Sequence, residues 1–270
     1  MTDVDTPSLR PEILAFYARG QEHARLRSGG HRLEFLRTQD VLRRLLPPAP
    51  AAVLDVGGGS GVHAEWLAAD GHAVTLVDPV PLHVEQAAAV PGVTVLQGDA
   101  RALARPDASV DVVLLLGPLY LPERADRIRA LAEARRVVRP GGLVVAATIN
   151  RFAGLHDQLR KEVWFDPALR PRIAAGTADG RHRPREDGDF TTAYFHEPAD
   201  VPREFAEAGL EPCGQYGLEG AAWLMGGVEA WLDDPERRAA VLEALRLTES
   251  SPALLGVSGH LLTVGRRPPG

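Results

Sequence analysis

The chain has 270 residues, 45% of them hydrophobic and 24% charged, which excludes global disorder and suits one large α/β domain or one domain with an insertion. A net charge of -6 argues against nucleic acid or an anionic membrane as the main partner, since both reward a basic surface. Cys213 is the single cysteine, so an internal disulfide and a cysteine-based zinc site are both excluded.

Residues 1–10 have no basic segment followed by an apolar one, and no run reaches the roughly 18 apolar residues that span a bilayer. A cytoplasmic protein is expected. Glu12 to Gly20 and Leu33 to Leu46 carry apolar residues at helical spacing and predict two helices ahead of the sheet. Ala51 to Val56, His72 to Val77, Val93 to Leu96, Val110 to Leu116 and Leu143 to Ile149 predict five strands. Their continuous apolar character is that of parallel strands buried on both faces. Val62 to Ala69 and Pro122 to Val138 read as helices between strands, the second stopped by Arg139-Pro140-Gly141-Gly142. Residues 150–199 show two short helices, no clear strand and a polar tract from Ala178 to Asp189, the profile of a lid. Helices over Pro202 to Ala208 and Pro235 to Leu247, and strands over Cys213 to Leu218 and His260 to Val264, complete the chain.

The segment Asp55-Val56-Gly57-Gly58-Gly59-Ser60-Gly61 follows the first strand directly and opens a helix. Glycines there let backbone approach a ligand, although a plain tight turn would also use them. A dinucleotide fingerprint needs glycine where this chain has Val62, and no phosphate loop with a lysine exists, Lys161 being the only lysine. The pattern is an acid followed by G-x-G-x-G. Asp78 closes the second strand, where a carboxylate can take ribose hydroxyls and repels a 2′-phosphate, and Asp99 follows the third, beside an adenine position. Either acid alone is equally a turn or cap aspartate; three acids at consecutive strand ends make a binding constellation.

This ordered set, with Gly117-Pro118-Leu119-Tyr120 after the fourth strand and Arg139-Pro140-Gly141-Gly142 after the helix, resembles the class I S-adenosylmethionine-dependent methyltransferases, and within them a bacterial small-molecule subgroup. The resemblance runs from Ala51 to Gly142. It implies a doubly wound, mostly parallel seven-stranded Rossmann-like sheet closed by an antiparallel hairpin. The implied division is a helical cap (1–46), a cofactor-binding core (47–149), a substrate lid (150–199) and a completion of the sheet (200–270).

By the same resemblance, Gly57 and Gly59 would cradle the methionine part of S-adenosylmethionine, Asp55 would approach its ammonium, and Asp78 would hold the ribose. Asp99 and the Ala100 amide would meet the adenine, and Leu116 with Gly117 would line the way to the sulfonium. Tyr17, Glu22 and Arg25, and Glu34, Arg37 and Thr38, place charged residues among apolar ones in the cap; Tyr17 and Arg37 are expected to close over the cofactor carboxylate. On the acceptor side Tyr120 and His196 are candidate catalytic residues. The subgroup has histidine where this chain has Leu121, which removes a base from that point. Glu219, Trp223 and His260 are further pocket candidates, and Trp164, Phe165, Phe195 and Trp223 a candidate apolar wall.

The implied reaction is in-line transfer of a methyl group to a small molecule, without a metal, since no clustered Asp/Asn set is present. A cofactor-binding protein that does not transfer methyl, and a nicotinamide oxidoreductase, are the competing readings; the second lacks its third glycine.

Overall fold

The computed structural model describes residues 8–20, 22–184 and 190–269, less the side chains of Glu22 and His23. The chain opens with α1 (Pro11–Tyr17), α2 (Glu22–Arg25) and α3 (His31–Leu45), then runs β1 (Ala52–Val56), α4 (Val62–Ala69), β2 (Ala73–Asp78), α5 (Pro81–Ala87) and β3 (Val93–Gln97). It continues through β4 (Val110–Leu115), α6 (Arg124–Val137) and β5 (Val138–Ile149) into α7 (Ala153–Arg160), α8 (Arg170–Asp179) and the two-residue strands β6 (Arg181–His182) and β7 (Ala193–Tyr194). The last part holds α9 (Asp200–Glu207), β8 (Glu211–Gly217), α10 (Val228–Asp233), α11 (Pro235–Arg246), α12 (Pro252–Leu255) and β9 (His260–Arg266).

Seven strands form one sheet in the order β3-β2-β1-β4-β5-β9-β8. The first five are mutually parallel, while β9 runs antiparallel to both β5 and β8, as expected for this fold class. Alternation along β4 feeds two cores. Val113 and Leu115 pack with Leu131, Ala134 and Phe205 on one face, and Val112 and Leu114 pack with Val41, Leu42 and Leu67 on the other. No helix among the described residues is long and apolar enough to cross a membrane.

Three differences from the sequence reading have physical causes. Helix α6 ends at Val137 and strand β5 begins at Val138, so Arg139-Pro140-Gly141-Gly142 lies inside the strand, where a register shift between Val110 and Val112 lets Val138 pair with β4. Residues 150–199 contain the β6–β7 hairpin, whose strands are too short to show a period of two. Helices α2, α5, α10 and α12 span only four to seven residues, less than the sequence length that a helical period needs to show itself. The polar tract from Ala178 to Asp189 is described only to residue 184.

Candidate cofactor and acceptor site

Parallel strands β1, β2 and β4 end on one edge of the sheet, and the loops leaving them converge there. Gly57 has φ +69, and a Cβ on it would lie 2.9 Å from Pro118 Cδ, so only glycine lets the loop after β1 meet the loop after β4. Gly59 has φ +58 and nothing within 4 Å of where its Cβ would be: the turn faces open space.

That space is a cavity of about 170 Å³ bordered by the turn, by Asp55, Asp78, Asp99 and Ala100, by Leu116, and by Tyr17 from the cap. A larger cavity of about 1140 Å³ lies against residues 151–183 and 219–233. Arg25 and Tyr120 border both and mark their junction.

The three acids differ in what they already hold. Asp55 is fully buried, and neither of its carboxylate oxygens has a hydrogen-bond partner among the described residues. Burial, reinforced by the nearby Asp78 charge, pushes it up to about 7. Asp78 Oδ2 accepts from the Gly59 N–H at 2.9 Å, and Oδ1 accepts from the Val80 N–H at 2.9 Å and lies 3.1 Å from His83 Nδ1. It therefore fixes the glycine turn while bordering the cavity. Asp99 takes the Arg101 guanidinium in a two-pronged pair, with Nε on Oδ1 at 2.9 Å and Nη2 on Oδ2 at 2.7 Å, besides the Arg101 N–H at 2.8 Å. One of its roughly four acceptor positions is left for a ligand.

Two expected residues are elsewhere. Arg37 is fully buried and borders neither cavity. Residues 33, 37 and 41 form one stripe of α3 and residues 34, 38 and 42 the next, about 100° around the helix. Leu33 packs against Val228, Leu232 and Leu245 of the C-terminal helices, and Arg37 turns the same way, whereas Glu34 and Thr38 border the smaller cavity. His196 is likewise buried and borders neither cavity. Its backbone pairs with β5 beside Asn150, and its ring turns inward, with Nε2 3.4 Å from Glu204 Oε2 and the ring edge-on to Tyr194. Burial lowers its pKa.

Tyr17 packs edge-on to His83, which brings the end of α1 onto the Asp78 corner. Glu22, the middle of its motif, has its side chain outside the described residues, while Arg25 donates to Glu34 at 2.8 Å. Phe195 and Trp223 border the larger cavity, but Trp164 and Phe165 do not, and Phe165 is 64% exposed. Phe190 joins that wall and His63 and His83 border the smaller cavity, residues with no motif to mark them in the sequence.

Glu219 and His260 border the larger cavity and meet Glu34 there. Burial pulls the His260 imidazole down, but the Glu34 and Glu219 carboxylates outweigh it and push it up to about 9. Glu34 is held at about 2 by Arg25 and His260 against its own burial. The three side chains bring potential ligand atoms within 4.8 Å of one another, but the Arg25 guanidinium already sits on Glu34 and the imidazole on Glu219.

A family model described as a methyltransferase domain matches residues 53–142. The chain is 35% identical over 164 residues to a ubiquinone/menaquinone biosynthesis C-methyltransferase of Acidiphilium cryptum, covering 57% of this chain and 62% of the relative. It is 38% identical over 205 residues to the 2-methyl-6-phytyl-1,4-hydroquinone methyltransferase of Synechocystis, covering 69% of this chain and 60% of the relative. The matches thus span less than two thirds of either relative's length. A solved S-adenosylmethionine-dependent methyltransferase from Thermotoga maritima shares the fold at a TM-score of 0.60 and 19% identity, over 94% of this chain and 98% of that one. The chain thus has the fold of that solved methyltransferase, and its residues 53–142, which hold the glycine turn and the first strands of the sheet, are similar to a methyltransferase domain.

Proposed function

We propose that this protein transfers the S-methyl group of S-adenosylmethionine to a small-molecule acceptor. The observation that carries the reading is Asp55: a buried carboxylate with no hydrogen-bond partner among the described residues, two residues ahead of a glycine turn that faces open space. An uncompensated buried acid is costly, and a cationic ligand group is what would compensate it.

When bound, the cofactor supplies an activated methyl on a cationic sulfonium, so the chain's task is to bind, align and exclude water. Asp55 and the Gly57 and Gly59 backbone would hold the methionine part. Asp78 would hold the ribose, and Ala100 with the remaining position on Asp99 would hold the adenine. Tyr17 would close the cap over them. Leu116, Gly117 and Tyr120 border the smaller cavity, and Tyr120 also borders the larger one, an arrangement that would set the acceptor beside the cofactor's far end. Residues 150–199 would be the lid that selects the acceptor, and the similarity to a 2-methyl-6-phytyl-1,4-hydroquinone methyltransferase and to a C-methyltransferase of ubiquinone/menaquinone biosynthesis supports a small aromatic metabolite. We place this chemistry in the cytoplasm.

Calorimetric titration with S-adenosylmethionine and S-adenosylhomocysteine tests the reading. Micromolar binding of both, and S-adenosylhomocysteine release on adding a metabolite extract, are expected; no binding of either overturns it.

A further inference from the structure

His260 is the first residue of β9 and pairs in register with Ile149, the last residue of β5, so the antiparallel return strand starts at the edge where the parallel strands end. Its ring bridges elements far apart in sequence. Nδ1 lies 2.6 Å from Glu219 Oε1, while Glu219 Oε2 is fixed by the Ser258 hydroxyl at 3.0 Å and the His260 N–H at 2.9 Å. Behind it, Glu34 Oε2 is 3.8 Å from Nδ1 and carries Arg25. Nδ1 is therefore committed to carboxylates. Nε2 makes no hydrogen bond among the described residues, and His260 borders the larger cavity, as does Arg25, one of the two residues common to both cavities.

A carboxylate on one imidazole nitrogen fixes the tautomer, steadies the ring and stabilises the imidazolium, leaving the other nitrogen to exchange a proton with a bound molecule. We infer that His260 is a catalytic residue, whose Nε2 takes the proton of a phenol- or enol-type hydroxyl acceptor in the larger cavity and then holds the oxyanion, with Glu219 and Glu34 as positioning residues.

The inference rests on the methyl-transfer reading above and names its acceptor class. In the step, the acceptor O–H bond breaks and its proton goes to Nε2. The oxygen's electron pair, directly or through the ring carbon to which it delocalises, forms the new bond to the methyl carbon. The S–C bond breaks with its pair left on sulfur, giving a neutral thioether, and the proton passes to solvent as product leaves.

The acceptor class follows from wall and base together. Tyr120, Phe190, Phe195 and Trp223 offer flat apolar faces to an aromatic ring. The groups facing His260 are Glu219, Glu34, Arg25 and His31, and their balance makes the imidazole more basic than usual. A phenolic hydroxyl near ~10 is matched to such a base, whereas an aliphatic alcohol is far too weak an acid.

The test uses the whole chain with 4-nitrophenol as probe, with and without S-adenosylhomocysteine; the phenolate absorbance of the bound probe at pH 6, where His260 is an imidazolium, reads its hold on the oxyanion, and the pH profile of turnover reads proton acceptance. Native protein is expected to hold the probe ionised, with His260→Gln showing at least about tenfold less bound phenolate and Glu219→Gln an intermediate amount. His260→Asn, which keeps a contact to Glu219, guards against a folding defect. With a turned-over phenol, kcat/KM should rise about tenfold per pH unit up to about 9 in native protein, and the break should fall to lower pH in Glu219→Gln. Probe that binds neutral, fails to bind at millimolar concentration, ionises as fully in both His260 variants as in native protein, or loses its ionisation to a chelator overturns the inference. Calorimetric binding of S-adenosylmethionine reads the parent proposal separately.

Discussion

Arg37 and Glu249 are joined across 212 residues of sequence, Nη2 donating to Oε2 at 2.5 Å, with both side chains buried. The same guanidinium donates from Nε to the Leu218 carbonyl at 3.0 Å and pairs with Asp40. It ties α3 to the end of β8 and to the turn before α12.

Arg37→Ala strands buried Glu249 with only the half-exposed Arg44 and removes a bond to Leu218. A loss of ~3–5 kcal/mol in unfolding free energy is expected by urea denaturation, the usual scale for breaking a buried ion pair. Affinity for S-adenosylmethionine should stay within about twofold of native, because Arg37 does not border the cavity. A large affinity loss at unchanged stability would return it to the cofactor.

Asp55 makes the smaller cavity pH-sensitive. A cationic ligand beside it favours the ionised carboxylate, so affinity for S-adenosylmethionine should rise several-fold as pH is raised from about 5.5 to about 7.5, and Asp55→Asn should flatten that dependence. Without ligand the effect has the opposite sign. The folded state binds this proton more tightly than the unfolded chain, so the residue's contribution to stability is greatest below 3.8 and is lost as pH rises through about 7. Asp55→Asn should consequently raise the melting temperature of ligand-free protein at pH 8, by scanning calorimetry.

Gly57 and Gly59 separate folding from binding. Gly57→Ala combines a left-handed φ with a 2.9 Å approach to Pro118 and should destabilise by ~1–3 kcal/mol. Gly59→Ala meets no atom, so it should cost only about 1 kcal/mol of stability, for its φ. Its methyl would project into the cavity, and an affinity loss of at least about tenfold is expected by calorimetry. Equal effects of the two substitutions on affinity would remove the assignment of Gly59 to the ligand surface.

The parallel strands and the glycine turn were legible because their signals are local: an apolar run, a run of glycines, an acid at a strand's end. The cap was legible as helices but not as a surface. Arg37 and Thr38 are adjacent in sequence, and only the packing of Leu33 against Val228 and Leu232 decides which stripe of α3 faces inward and which faces the cavity. His196 had the right chemistry for a base, yet backbone pairing beside Asn150 turns its ring toward Glu204. The Phe190 wall escaped notice because single aromatics in a long connection carry no period.

Sequence alone thus determined the βα order, the acid and glycine positions of the turn, and the fold class, since each follows from residues within one strand and its loop. Tertiary structure alone decided that Asp55 has no hydrogen-bond partner among the described residues, that Asp78 and Asp99 are already engaged, and that Glu34, Glu219 and His260 meet. Those three lie on α3, after β8 and at the start of β9. Only closure of the sheet by an antiparallel strand brings them within ion-pair distance at the junction of the two cavities.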